Sequence, residues 1–224
     1  MTNNPLSLPE STIVDCNVPK NAFYKRESES QKNTLRTFLT DSVKEVRWLY
    51  KLHPSTLPLA VGAQVEEIDI FLCILKEAPY DTELLRRMDA LMPRPSLFLI
   101  AYEECVDLLI FPRSRNSQGA MVQTGRMEQR IDVDLKKSPI SIVGYSMDAV
   151  YGNLLGQLSQ LGTNTVEEYL AKANLRDQVH ALRKKCDTLR RKMRKEPQYN
   201  RQCEIRRQIR QLEKEIERFG DFMR

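Results

Sequence analysis

No run of eighteen apolar residues occurs in the 224-residue chain, so the sequence holds no membrane-spanning helix. The opening MTNNPLSLPESTIV has no basic region leading into an apolar stretch, and no secretory signal is expected there. Histidine is almost missing: His53 and His180 are the two that occur. A Ser-His-Asp or Cys-His arrangement would need one of them. His53 precedes Pro54 at a strand end, where it closes a turn, and His180 lies in a helical pattern far from any cleft. The five cysteines (Cys16, Cys73, Cys105, Cys186, Cys203) never stand at CxxC spacing. Their odd number and apolar settings fit reduced thiols in a cytoplasmic protein, and with two histidines they argue against a zinc site. A Gly-rich phosphate loop, GxSxG, HExxH and a kinase signature are all lacking, so no cofactor or metal is expected and no catalytic residue is assigned.

What the chain does contain is enough apolar material for a core, 41% of residues, and 29% charged residues, which fits one modest domain plus an appendage. The net charge of +5 conceals a division. Residues 172–224 carry 17 Lys/Arg against 8 Asp/Glu, a net of +9; the remainder carries 18 against 22, a net of −4. A mildly acidic body therefore bears a strongly basic tail.

The body reads as a mixed α/β domain over 1–161. Pro19 opens a short helical turn. A helix over about Gln31–Lys44 buries Leu35, Phe38, Leu39 and Val43. Val46–Leu52 alternates as a strand stopped by Pro54, and Ile68–Leu75 is apolar at nearly every position, as a central strand requires. Asp81 caps a helix through Leu84, Leu85, Met88 and Leu91, ended by Pro93 and Pro95. Ser96–Tyr102 and Val106–Phe111 form a strand pair about Glu103-Glu104. The polar stretch 112–125 is a loop, and Met127–Leu135 a further strand. Ser146 starts a helix over Met147–Leu158, whose Gly152 and Gly156, with Gly162 beyond, pack closely on the sheet. Residues 162–174 are a hinge and lead-in helix.

The tail, 175–224, is the most legible part. Apolar residues recur four and three apart as Leu175, Val179, Leu182, Cys186, Leu189 and Met193, and again as Ile205, Ile209, Leu212, Ile216, Phe219 and Met223. This is a heptad seam interrupted by Pro197, which cannot sit inside a continuous helix. The reading is an antiparallel coiled-coil helical hairpin, with Leu182 level with Leu212 and Cys186 with Ile209. In that register Arg183 faces Glu213, Arg190 faces Arg206 and Lys192 lies beside Arg201, so the turn end stays cationic. Lys184, Lys185, Arg190, Arg191, Lys192, Arg194, Lys195 and Arg201 are then candidates to meet nucleic-acid phosphates or an acidic protein surface. Tyr199 at the tip could stack on a base or enter a partner's pocket.

A competing reading is Mg²⁺-dependent nuclease chemistry, which needs carboxylates at strand ends and a lysine to orient water. Asp134 and Lys136 form a D-x-K, Asp107 lies upstream, and Glu66, Glu67 and Asp69 lead the central strand, whose far end is Lys76. A third is a purely structural assembly module, including self-association as a homo-oligomer.

The segments LPESTIV, VPKNAFY, VRWLYKLHPSTLPL, VEEIDIFLCILK, MDALMPRPSLFLIAYE, SMDAVYGNLLGQL and RKEPQYNRQCEI resemble a bacterial family of unknown function, over almost the whole chain and least at 112–140. The resemblance implies a place beside helicase-like ATPases and DNA methyltransferases in anti-phage defence or restriction-type clusters, and it carries no catalytic residue across. Relatives often end the central strand Glu-x-x-x-Lys, where this chain has Cys73 before Ile74-Leu75-Lys76. The tip match makes Glu196, Gln198, Tyr199 and Asn200 partner-contact candidates. The expectation is a non-catalytic, cytoplasmic accessory subunit that docks on a helicase-like or methyltransferase partner and touches DNA or a partner through the hairpin.

Overall fold

The structure, a computed structural model, describes residues 4–25 and 29–222. It divides into two compact units, Met1–Tyr169 and Leu170–Arg224.

In the first unit a 3-10 turn (Glu10–Thr12) leads into strand β1 (Ile13–Asn17), then helices α1 (Asn21–Tyr24) and α2 (Glu29–Asp41). Strands β2 (Val43–Leu52) and β3 (Ile68–Leu75), helix α3 (Thr82–Ala90), and strands β4 (Ser96–Tyr102) and β5 (Cys105–Ile110) follow. A small ribbon of β6 (Arg113–Arg115) and β7 (Met121–Gln123) precedes β8 (Glu128–Arg130) and helix α4 (Met147–Ser159). Six strands make one sheet in the order β1-β2-β3-β4-β5-β8. Every neighbouring pair is antiparallel except β3 and β4, which run parallel with α3 between them in sequence.

The near-continuous apolar runs of β3 and β4 are buried on both faces, as that pattern demands. Phe71, Cys73, Leu75, Phe98 and Ile100 pack with Leu35, Phe38 and Leu39 of α2 and Leu85 and Met88 of α3. Asp81 caps α3 by accepting from the amides of Glu83 and Leu84. Burial raises the Cys73 thiol to about 12, which leaves it an inert core group.

Three boundaries and one packing contact differ from the sequence reading. The first helix stops at Asp41, and Val43, assigned above to that helix, opens β2 while staying fully buried; a β-branched residue with a ladder partner at Leu75 gains more from the sheet. The strand expected over Met127–Leu135 is short, because Asp132 takes φ 51° and donates its N–H to Asp107, turning the chain out of the ladder. The loop 112–125 contains the β6–β7 ribbon, turned by Asn116, whose carboxamide oxygen accepts from the amides of Gln118 and Ala120 at 3.0 Å each. Gly152 and Gly156 lie against the backbone of Thr163 and Thr165 rather than the sheet; a Cβ at either would overlap that segment.

Two tethers fasten the remaining loops of this unit. Asp148, in the first turn of α4, accepts from the consecutive amides of Ala63 (2.7 Å), Gln64 (3.1 Å) and Val65 (2.7 Å). The buried Tyr50 hydroxyl donates to Asn4 Oδ1 at 2.7 Å and accepts from the Leu6 amide at 3.2 Å, which holds Leu6 and Leu8 in the core.

Helix α5 (Val166–Lys195) spans the division between the units, and α6 (Tyr199–Phe222) follows after Glu196-Pro197-Gln198. In the second unit Val179, Cys186, Ile205 and Ile209 are buried, while Leu175, Leu182, Leu189, Met193, Leu212, Ile216 and Phe219 are half-buried. Met223 of the expected seam lies outside the described residues. One expected pairing is corrected: Arg190 does not face Arg206 but donates to Glu213 at 2.7 Å and to Asp187 at 3.1 Å. Glu213 is thus met two turns beyond Arg183, an arrangement that sets opposite charges together instead of two guanidinium groups.

Candidate functional site

The basic candidates are placed by α5 and the start of α6. Lys184, Lys185, Arg191, Lys192, Arg194, Lys195 and Arg201 are all exposed. At 100° per residue, Lys184, Arg191 and Lys195 fall within roughly 40° of one another, with Lys185 and Lys192 on the adjoining strip. Cys186, Leu189 and Met193 lie on the other side of the helix, so packing of the apolar face turns the cations outward. The stripe runs about 16 Å, from eleven residues at 1.5 Å rise. Asp187, the sole carboxylate between residues 184 and 195, is turned to Arg190. The hydrogen bond to Glu213 first, and that to Asp187 second, hold the Arg190 guanidinium above its ordinary pKa. Arg190 is therefore a neutralised member of the set, and the uncompensated charge belongs to the stripe.

The tip residues divide in two. The Glu196 carboxylate accepts from the Gln198 amide at 3.2 Å, and the Glu196 carbonyl from the Gln202 side chain at 2.6 Å, so the Pro197 break is braced locally. Tyr199, 72% exposed, and Asn200 stand at the solvent side of α6's first turn. An exposed phenol on a braced turn presents a rigid aromatic face at little entropic cost.

The D-x-K residues are differently arranged. Asp107 is buried, and its oxygens accept from the hydroxyls of Tyr80 (2.6 Å) and Tyr102 (3.1 Å) and from the Asp132 amide (2.8 Å). Burial first, and the Asp107 contact second, push both phenols above their usual pKa. Asp134 is exposed, capping the Lys136 amide at 3.0 Å and pairing with Lys137 at 3.2 Å, which holds its carboxyl below the usual range. Asp134 and Lys136 line an open cleft of about 1130 Å³ with Glu104 and Asp132, whereas Asp107 is committed to closing the turn after β8. Among the described residues, no group of three or more His, Cys, Asp or Glu is arranged to hold a metal ion.

Sequence reasoning named Glu67 and Asp69 but missed what surrounds them. Both are about 95% buried. Glu67 bridges Lys51 at 2.9 Å and Arg94 at 3.2 Å, while Asp69 lies in register between Lys51 on β2 and Ser96 on β4. Burial first, and then the neighbouring Glu67 charge, raise the Asp69 carboxyl to about 7. The signal available was the i, i+2 spacing of the two acids entering an apolar strand; Lys51 and Arg94 come from other elements and have no local signature. Glu66, next in sequence, is exposed and pairs with Arg115 at 2.7 Å.

No helix among the described residues is long and apolar enough to cross a membrane. No curated protein and no solved structure matches the chain. A family model described as a domain of unknown function (DUF4391) matches residues 6–216, and the chain belongs to that family.

Proposed function

We infer, starting from membership in this family, that the protein is a non-catalytic accessory subunit of a bacterial anti-phage defence or restriction-type assembly. Its α/β body docks on a helicase-like ATPase or DNA methyltransferase. Helices α5 and α6 fold back on each other as an antiparallel coiled-coil hairpin whose outward face meets nucleic acid. The hairpin is supported by burial of Val179, Cys186, Ile205 and Ile209 at heptad spacing, by the Pro197 break and by the Arg190–Glu213 pair. The genomic setting rests on the sequence resemblance.

The observation that carries the nucleic-acid reading is the stripe of Lys184, Arg191, Lys192 and Lys195. Four exposed cations lie together, and Asp187, the carboxylate within their stretch of α5, is paired with Arg190. Such an array gains from counterion release on a phosphate backbone, which needs no sequence-reading side chain. The partner-contact role of Tyr199 and Asn200 belongs to the same reading, since both stand at the far end of the arm.

A titration with duplex DNA across a salt series tests it. Each phosphate contact contributes about 0.9 to the slope of log K against log salt. Reversing Lys184, Arg191, Lys192 and Lys195 to Glu should flatten that slope by about 3.6 units. The Arg190→Glu variant is the control, since it breaks an internal pair and leaves most of the slope. An unchanged slope in the fourfold variant removes this face as the contact.

A further inference from the structure

We propose that one flank of the second unit, formed by Gln178, Ala181, Leu182 and Lys185 of α5 with Glu215 and Phe219 of α6, is a self-association surface for a second copy of this chain. The two flanks of the helix pair differ in chemistry. One carries Arg183, Asp187, Arg190, Glu213 and Glu217 around a groove of about 360 Å³, and the Arg190–Glu213 pair closes across it. The other holds a groove of about 260 Å³, with Ala181, Leu182 and Phe219 as its floor and Gln178, Lys185 and Glu215 on its rims. Depletion of charge around an apolar centre is the compositional mark of an interface core.

Burial argues in the same direction. Leu182 and Phe219, which line this groove, keep part of their surface exposed although they belong to the apolar seam. Two helices cannot enclose an apolar stripe completely, whereas four can, because each pair covers the open side of the other. Ala181 at the floor is small enough to admit a side chain from outside.

The rim charges indicate which occupant fits. Lys185 stands on the α5 rim and Glu215 on the α6 rim. About a two-fold axis, Lys185 of each copy faces Glu215 of the other, so one patch is complementary to itself. An unrelated partner would not need this reciprocal arrangement.

Sedimentation of the full chain without nucleic acid tests the proposal. The wild type should show a mass that rises with concentration toward twice the monomer. The Lys185→Glu and Glu215→Lys variants should each remain monomeric. An equimolar mixture of the two should recover the doubled mass, because one copy then presents two carboxylates and the other two ammonium groups. Recovery on mixing cannot come from variants that merely fail to fold. Arg183→Glu, on the opposite flank, should leave association unchanged. A monomeric wild type at every concentration, a mixture that stays monomeric, or loss of association in Arg183→Glu would each overturn the proposal.

Discussion

Replacing Asp69 by Asn should change how stability depends on pH rather than simply lower it. Asp69 is about 95% buried beside Glu67, and its carboxyl is raised to about 7. In the unfolded chain it titrates near its ordinary value of about 3.9. Below about 4 both states are protonated and the group contributes no pH dependence. As pH rises from about 4 to about 7, the unfolded chain releases its proton while the folded chain holds it, so stability falls, and above about 7 the loss is complete. A gap of about three units corresponds to about 4 kcal/mol. The opposing charges of Lys51 and Arg94 are already part of that balance. Asparagine keeps the volume, stays neutral and can donate its amide to Glu67. Urea unfolding between pH 4.5 and 8.5 should show wild type and Asp69→Asn alike at the acid end, with the variant more stable by several kcal/mol at the alkaline end. Parallel curves for the two proteins would refute the assignment of the proton to Asp69.

Three further expectations follow from contacts described above. Arg113 and Asp89 form an ion pair with almost no solvent exposure; Arg113→Met should cost about 3–5 kcal/mol by leaving a buried carboxylate uncompensated, read as a shift in urea midpoint. Asp148→Ala removes the acceptor of three amides, should cost roughly 2–3 kcal/mol, and should speed amide exchange at Ala63–Val65 before that of the sheet strands. Gly152→Ala would normally favour a helix by up to about 1 kcal/mol. Here the new methyl meets the Thr165 backbone, so net destabilisation of about 1–3 kcal/mol is expected by thermal unfolding.

Local patterns read well from the sequence, and partnerships across elements did not. β3 was legible because an apolar run bounded by charges has one stable place, the middle of a covered sheet. The Asp81 and Ser146 caps were legible because their donors are two and three residues on. Val43 was misplaced because it satisfies both the helical period of α2 and the ladder with Leu75, and no local feature decides between them. The candidate site shows the same division. Exposure of the basic stripe followed from the spacing of the apolar residues on α5, yet the partner of Arg190 depended on which residue of α6 comes within reach, which spacing leaves undetermined by a turn or more. Asp107 looked like a free carboxylate because Tyr80, which donates to it, comes from a distant part of the chain, and the hairpin spacing alone does not show that Tyr102 turns back onto it. Lys51 and Arg94 were invisible for the same reason.

The fastening of Asn4, Leu6 and Leu8 by the Tyr50 hydroxyl bears on the order in which the molecule acquires its structure. These residues precede every strand, yet their anchor is a side chain more than forty positions later, on a strand that must itself find β3. Contacts of such long sequence separation reward the chain only after the intervening loop has been closed. The opening segment is therefore expected to lock down late, after the central strands have assembled, and to be among the first parts released when the protein begins to unfold.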